Sequence, residues 1–71
     1  MLSIRMETDT KYYVAHLMRD LFDDLVLVCD YGSKTSKHAH RITRPVASES
    51  EAESLCEKII KTRYNHGYDL V

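Results

Sequence analysis

Apolar and polar residues alternate over four stretches of the chain, and such alternation is typical of β-strands. The stretches cover residues 2–6, 11–19, 25–31 and 38–44. Within the second stretch, Tyr13, Ala15 and Leu17 share one face. We expect this face to point toward the core, because the opposite face carries His16. Short segments rich in turn-forming residues separate the stretches, so the pattern predicts neighbouring antiparallel strands.

A helical pattern begins at residue 48. Ser48 and Glu51 form a capping box, in which the serine hydroxyl accepts a hydrogen bond from the Glu51 amide and the carboxylate reaches back. Apolar residues then recur at helical spacing and predict one buried stripe. The stripe comprises Ala52, Leu55, Cys56, Ile59, Ile60 and either Arg63 or Tyr64. Gly67 supplies a C-terminal stop, and we expect Tyr68 to fold back onto the sheet.

Together these elements predict an α+β fold, in which an antiparallel sheet of about four strands carries one C-terminal helix packed on one face. The chain has 71 residues, and we expect residues 1–71 to form a single domain. At this size folding buries only about 60% of the surface that the extended chain exposes, so the core must be small.

Composition excludes some classes of protein. Hydrophobic residues make up 44% and charged residues 30% of the chain, which is typical of folded domains. The net charge of -1 excludes a uniformly basic nucleic-acid binder but leaves room for a local basic patch. The longest apolar run, residues 25–29, is far shorter than the roughly 20 residues that cross a bilayer. With two cysteines and no secretory signal in residues 1–7, we expect a cytoplasmic protein that does not bind membranes.

An ordered set of short motifs resembles the WGR domain family. The set comprises Lys11-Tyr12-Tyr13, Tyr31-Gly32, Pro45-Val46, Ser48, Glu51-Ala52 and Gly67-Tyr68. It covers nearly the whole chain, from about residue 2 to residue 68. The resemblance implies a WGR-like sheet with one capped helix.

The name-giving triplet of that family is Trp-Gly-Arg, whereas this chain has Tyr31-Gly32-Ser33. In the poly(ADP-ribose) polymerases that carry the domain, the Trp and the Arg of the triplet take part in contacting DNA and neighbouring domains. Tyr31 retains a ring that can stack on a base or a sugar. Ser33 has neither the charge nor the forked donors of arginine, so the resemblance supports the fold more strongly than DNA binding.

Residues 31–48 contain no acidic residue, and this stretch is the main candidate for a binding surface. Its cations are Lys34, Lys37, Arg41 and Arg44. On a loop and one strand they could form a stripe that contacts nucleic-acid phosphates, with Tyr31 stacking beside them. The same residue types are typical of an exposed edge strand, where Lys and Arg prevent pairing between sheets. Both interpretations stay open.

We therefore predict a non-catalytic binding module whose partner is nucleic acid, specifically DNA, contacted through the basic loop and strand. The alternative is a protein-interaction domain that has lost the family's DNA contacts. Such a domain would dock a protein partner, or a second copy in a homodimer, through its edge strand or the Tyr31 surface.

The sequence offers no catalytic constellation, so we expect neither an enzyme nor a cofactor nor a small-molecule substrate. Cys29 and Cys56 lie on predicted inward faces and have no neighbouring base to activate them. His38 and His40 supply two ligands where a structural zinc site needs about four, so we expect no metal.

Overall fold

The computed structural model describes residues 2–71, which form a five-stranded antiparallel sheet with one helix packed on it. The elements are β1 (Ser3–Glu7), β2 (Lys11–Arg19), β3 (Leu25–Ser33), β4 (Ala39–Pro45), α1 (Glu49–Asn65) and β5 (Asp69–Leu70). Across the sheet the order is β4-β3-β2-β1-β5. The predicted α+β fold is confirmed. Met1, with which the predicted domain begins, lies outside the described residues.

One face of the sheet packs against α1, and we call it the covered face. Its core side chains are Met6, Tyr13, Ala15, Leu17, Leu27 and Cys29, which meet Ala52 and Cys56 of the helix. The other side is the open face, and it carries the alternate residues of each strand. On β2 the predicted faces are confirmed, because Tyr13, Ala15 and Leu17 are buried while Met18 is exposed.

The interior strand β3, which lies between β4 and β2, is buried on both faces over residues 26–29. Val26 and Val28 point to the open face, yet they are only 5% and 4% exposed. Val26 lies opposite Met18 on one side and Pro45 on the other. Neighbouring strands therefore shield these valines without help from a helix, and the open face presents no broad apolar patch around them.

The start of α1 follows the predicted capping box with one change. Ser48 Oγ accepts a hydrogen bond from the Glu51 amide at 3.2 Å, as predicted. The Glu51 carboxylate accepts its bond from the Ala47 amide, also at 3.2 Å, rather than from the cap residue itself. Both bonds satisfy amides near the helix start and fix the direction from which the chain enters α1.

The end of α1 closes with a Schellman motif. Gly67 has a φ of 88°, which is a left-handed conformation that glycine adopts at little cost. Its amide donates to the Tyr64 carbonyl, and the Tyr68 amide donates to the Arg63 carbonyl. This turn sends Tyr68 into the core, as predicted, and lets β5 pair with β1. Within residues 2–71 no helix is long and apolar enough to cross a membrane.

Candidate nucleic-acid interface

Three rings stand side by side on the covered face, one from each of three neighbouring strands. Tyr13 of β2 lies opposite Tyr31 of β3, and Tyr31 lies opposite His40 of β4. Ring centroids are 5.7 Å apart in the first pair and 5.2 Å apart in the second, and both pairs are stacked. Tyr31 therefore has a ring on each side, and the row ends at His40 because β4 is the edge of the sheet.

Arg63 from the last turns of α1 lies over this row. Its guanidinium carbon is 4.4 Å from the Tyr13 ring centroid and 5.9 Å from the Tyr31 centroid. It is also 5.6 Å from the ring of Tyr68, the residue that the Schellman turn folds back. These cation–π contacts hold the half-buried guanidinium in one place without neutralising its charge.

A groove runs between α1 and β4, and we call it the α1–β4 groove. It is lined by Tyr13, Arg44, Leu55, Lys58, Ile59, Thr62 and Arg63, and its volume is about 210 Å³. Burial raises the pKa of the Tyr13 hydroxyl to about 12, so this hydroxyl stays protonated in the physiological range. The groove thus combines three cations with neutral hydroxyl groups and an apolar floor.

The three cations of the groove have no acidic partner. Among residues 2–71, the salt bridges involve Arg5, Arg19, Lys34 and Arg41, and none involves Arg44, Lys58 or Arg63. Like charges brought together repel one another, and an anion in the groove would relieve that repulsion.

Two of the four predicted cations are paired instead. Arg41 donates to both carboxylate oxygens of Asp30, at 2.7 Å and 3.1 Å, and this hydrogen bonding holds the pKa of Asp30 below its usual value. Lys34 pairs with Glu7, whose pKa is lowered by hydrogen bonds from Lys34 and then from Arg5. A phosphate would have to compete with a carboxylate for either cation.

The five predicted site residues therefore do not share one surface. Tyr31 and Arg44 lie on the covered face, beside or within the groove. Arg41 lies on the open face with Asp30, and Lys34 is drawn toward Glu7. Lys37 is exposed in the connection between β3 and β4. The edge-strand interpretation also receives support, because β4 is an edge strand and all seven of its residues are exposed.

Two groove cations, Lys58 and Arg63, were missed by the sequence-based prediction. The sequence carries a signal for both residues. Arg63 falls on the predicted buried stripe, and Lys58 lies three positions after Leu55, on the flank of that stripe. Thr62 continues the same flank. The spacing shows that these residues share a side of the helix. It does not show that this side faces β4 and Arg44, which depends on how the helix lies across the sheet.

The predicted triplet has a structural role at Gly32. A Cβ added there would come within 3.1 Å of the His38 carbonyl oxygen and 3.3 Å of the Tyr12 hydroxyl. Such contacts are tighter than most Cβ contacts, so a side chain at this position would require the connection from β3 to β4 or the Tyr12 ring to shift slightly. The Ser33 hydroxyl is engaged with the Thr35 hydroxyl at 3.1 Å.

The two cysteines lie in the core and are not paired with each other. Cys29 and Cys56 are free thiols, and both are buried as predicted. Burial raises the pKa of the Cys56 thiol, which keeps it protonated and unreactive. Within the part of the chain that the structure describes, no three His, Cys, Asp or Glu side chains are grouped to hold a metal ion.

A scan against protein-family models matches no family, and searches of curated proteins and of solved structures give no match either. The resemblance to WGR domains stays a prediction.

Proposed function

We propose that this protein is a non-catalytic nucleic-acid-binding module that holds the phosphate backbone in the α1–β4 groove. The observation that carries the proposal is the convergence of Arg44, Lys58 and Arg63 on one groove, where none of them has an acidic partner among residues 2–71. Charge-assisted hydrogen bonds to phosphate are stronger than neutral ones, and three of them are available here.

Arg63 is the best-placed phosphate contact. Its guanidinium is already ordered on the Tyr13 ring, so binding costs little further side-chain entropy. Arginine is also less strongly hydrated than lysine and presents a planar fork of donors that matches a phosphate. Arg44 and Lys58 are exposed and supply positive charge from the two walls of the groove.

The aromatic row favours single-stranded over double-stranded nucleic acid. His40 stacks one face on Tyr31 and ends the row at the sheet edge, where it is exposed. A base can stack on an exposed ring only when it is not already stacked in a duplex. The resemblance to WGR domains points to DNA but does not distinguish single strands from duplexes, so both belong in the test.

The test compares two double variants that lose the same charge at different places. Arg44→Gln/Lys58→Gln removes two groove cations, and Lys34→Gln/Arg41→Gln removes the two cations that are paired with carboxylates. All four positions are exposed, so both variants should fold. Binding of labelled single-stranded and duplex oligonucleotides is measured by fluorescence anisotropy across a series of salt concentrations.

For the unmodified protein, three neutralised phosphates on a single strand give a slope of about -2.1 in log K against log salt. The groove variant should reduce this slope to about -0.7, whereas the matched control should keep nearly the full slope. Absence of saturable binding at low salt would contradict the function. Binding that depends on Lys34 and Arg41 but not on Arg44 and Lys58 would move the site to the predicted loop and strand.

A further inference from the structure

The turn between β2 and β3, residues 20–24, exposes two large apolar side chains at its tip. Leu21 is 99% exposed and Phe22 is 84% exposed. Both lie next to each other in the chain, and neither packs into the core. We call residues 20–24 the hairpin tip.

The hairpin tip is held in one conformation rather than left loose. The Asp20 carboxylate accepts hydrogen bonds from the amides of Phe22 and Asp24, at 2.9 Å and 3.0 Å. Arg19 donates to the Asp23 carbonyl at 2.9 Å, and Asp23 adopts a left-handed φ of 64°. A preorganised turn loses little entropy on docking, so its exposed Phe22 is suited to act as an anchor.

The charge around the tip restricts what it can dock into. Asp20, Asp23 and Asp24 surround the two apolar side chains, and Arg19 is the neighbouring cation. Anionic lipid headgroups would be repelled by these carboxylates. The complementary surface is an apolar pocket with a basic rim.

This chain itself contains such a pocket. The α1–β4 groove has an apolar floor formed by Leu55 and Ile59 and a basic rim formed by its three unpaired cations. Its volume of about 210 Å³ is below the roughly 300 Å³ at which pockets for small molecules begin, which suits a single side chain. The groove and the hairpin tip share no residue.

We propose that the hairpin tip of one copy docks into the α1–β4 groove of a second copy, with Phe22 inserted and the aspartates facing Arg44, Lys58 and Arg63. The contact is heterologous, because one copy contributes its tip and the other its groove. In such a pair, one copy keeps a free groove and the other keeps a free hairpin tip, so further copies can add to both ends. This contact uses the same groove as the proposed function but does not rest on it, since Phe22 lies outside the groove that would bind nucleic acid.

Sedimentation velocity over a range of protein concentrations tests the contact with single variants. Phe22→Ser removes the anchor, and Lys58→Glu reverses a charge on the rim. Val71→Ser and Lys61→Glu are matched controls, because Val71 is 78% exposed and Lys61 is an exposed helix residue outside the groove. We expect each test variant to weaken self-association about 10- to 100-fold and each control to leave it unchanged.

Mixing the two test variants gives the decisive result. The Lys58→Glu copy retains an intact tip and the Phe22→Ser copy retains an intact groove. We therefore expect an equimolar mixture to form a 1:1 pair at protein concentrations where each variant alone is monomeric. A wild-type protein that stays monomeric at about 1 mM, where a specific contact of even 1 mM affinity would show, overturns the proposal. So does a mixture that fails to pair, or self-association that Phe22→Ser leaves intact.

Failure of this proposal can be told apart from failure of the proposed function. Phe22→Ser should leave oligonucleotide affinity and its salt dependence as they are. Lys58→Glu should weaken both self-association and oligonucleotide binding. In Lys58→Glu, loss of one property without the other shows which of the two occupants the groove accepts.

Discussion

The α1–β4 groove and the open face both carry arginine and lysine, but they use the charge in opposite ways. On the open face, Arg41 is bound by Asp30 through two hydrogen bonds. In the groove, Arg63 lies on an aromatic ring and has no carboxylate partner among residues 2–71. A count of cations in the sequence treats these residues as equivalent. The carboxylate partner gives Arg41 a structural role, whereas Arg63 keeps its charge available for a ligand.

The two faces also differ in what they contribute to stability. The covered face holds Met6, which has no exposed surface, beneath the helix. The open face carries Met18, near the end of the middle strand β2, and it is 40% exposed. A methionine side chain is therefore packed in the core on the covered face, whereas on the open face it is partly solvated.

The largest expected effect follows from that pair of methionines. Met6→Ala should destabilise the protein by about 2–5 kcal/mol, because it removes buried methylene groups and leaves a cavity. Met18→Ala should cost less than about 1 kcal/mol, because its side chain already contacts water. Urea unfolding of both variants measures the difference. Equal losses would show that the helix does not make the covered face the main core.

A smaller effect is expected at Gly67, which closes α1 and directs Tyr68 beneath Arg63. Alanine at this left-handed position should cost about 1–2 kcal/mol, since an added Cβ meets no neighbouring atom and only the backbone strain counts. Asn65→Ala, at the exposed last residue of the helix, is the control and should have little effect. A Gly67→Ala protein as stable as wild type would argue against a left-handed Schellman turn there.

The smallest expected effect concerns the ion pair on the open face. Because Arg41 lowers the pKa of Asp30 in the folded state, the pair contributes fully above the unfolded pKa of about 3.9. Its contribution is lost as the pH falls through the lower folded pKa. The pair is exposed to solvent, so we expect its contribution to be small.

Unfolding by urea at neutral and at acidic pH checks this sign. Arg41→Gln should lower stability at neutral pH and flatten the loss on acidification. Arg44→Gln should leave that acid dependence unchanged, because Arg44 has no carboxylate partner in the described chain. Identical acid profiles for the two variants would contradict the contrast between paired and unpaired cations.

Much of the fold could be predicted because its signals are local. The alternation on β2 gave the buried face correctly, and the capping box located the start of α1. The short strand β5 was missed, because two residues carry no periodicity and their pairing with β1 depends on the turn at Gly67. How far Leu21 and Phe22 protrude could not be predicted, since apolar residues in a turn give no sign of which way they point.

Of the candidate site, the sequence predicted Tyr31 and Arg44 but not the residues that join them. Arg41 and Arg44 are three positions apart on one strand, which already places them on opposite faces. Their different environments follow from register, because Arg41 lies opposite Asp30 whereas Arg44 lies opposite Leu27. A one-residue slip of β4 would move each arginine to the other face of the sheet and would separate Arg41 from Asp30.

The sequence by itself determined the first four strands, the helix and its ends, because periodicity and capping act between residues close in the chain. Only the tertiary structure decided which cations meet carboxylates and which meet one another. Lys58 and Arg63 come from the helix, and Arg44 comes from the edge strand. Electrostatic interaction falls off with distance in space rather than along the chain, so a groove built from two elements exists only once they are packed together.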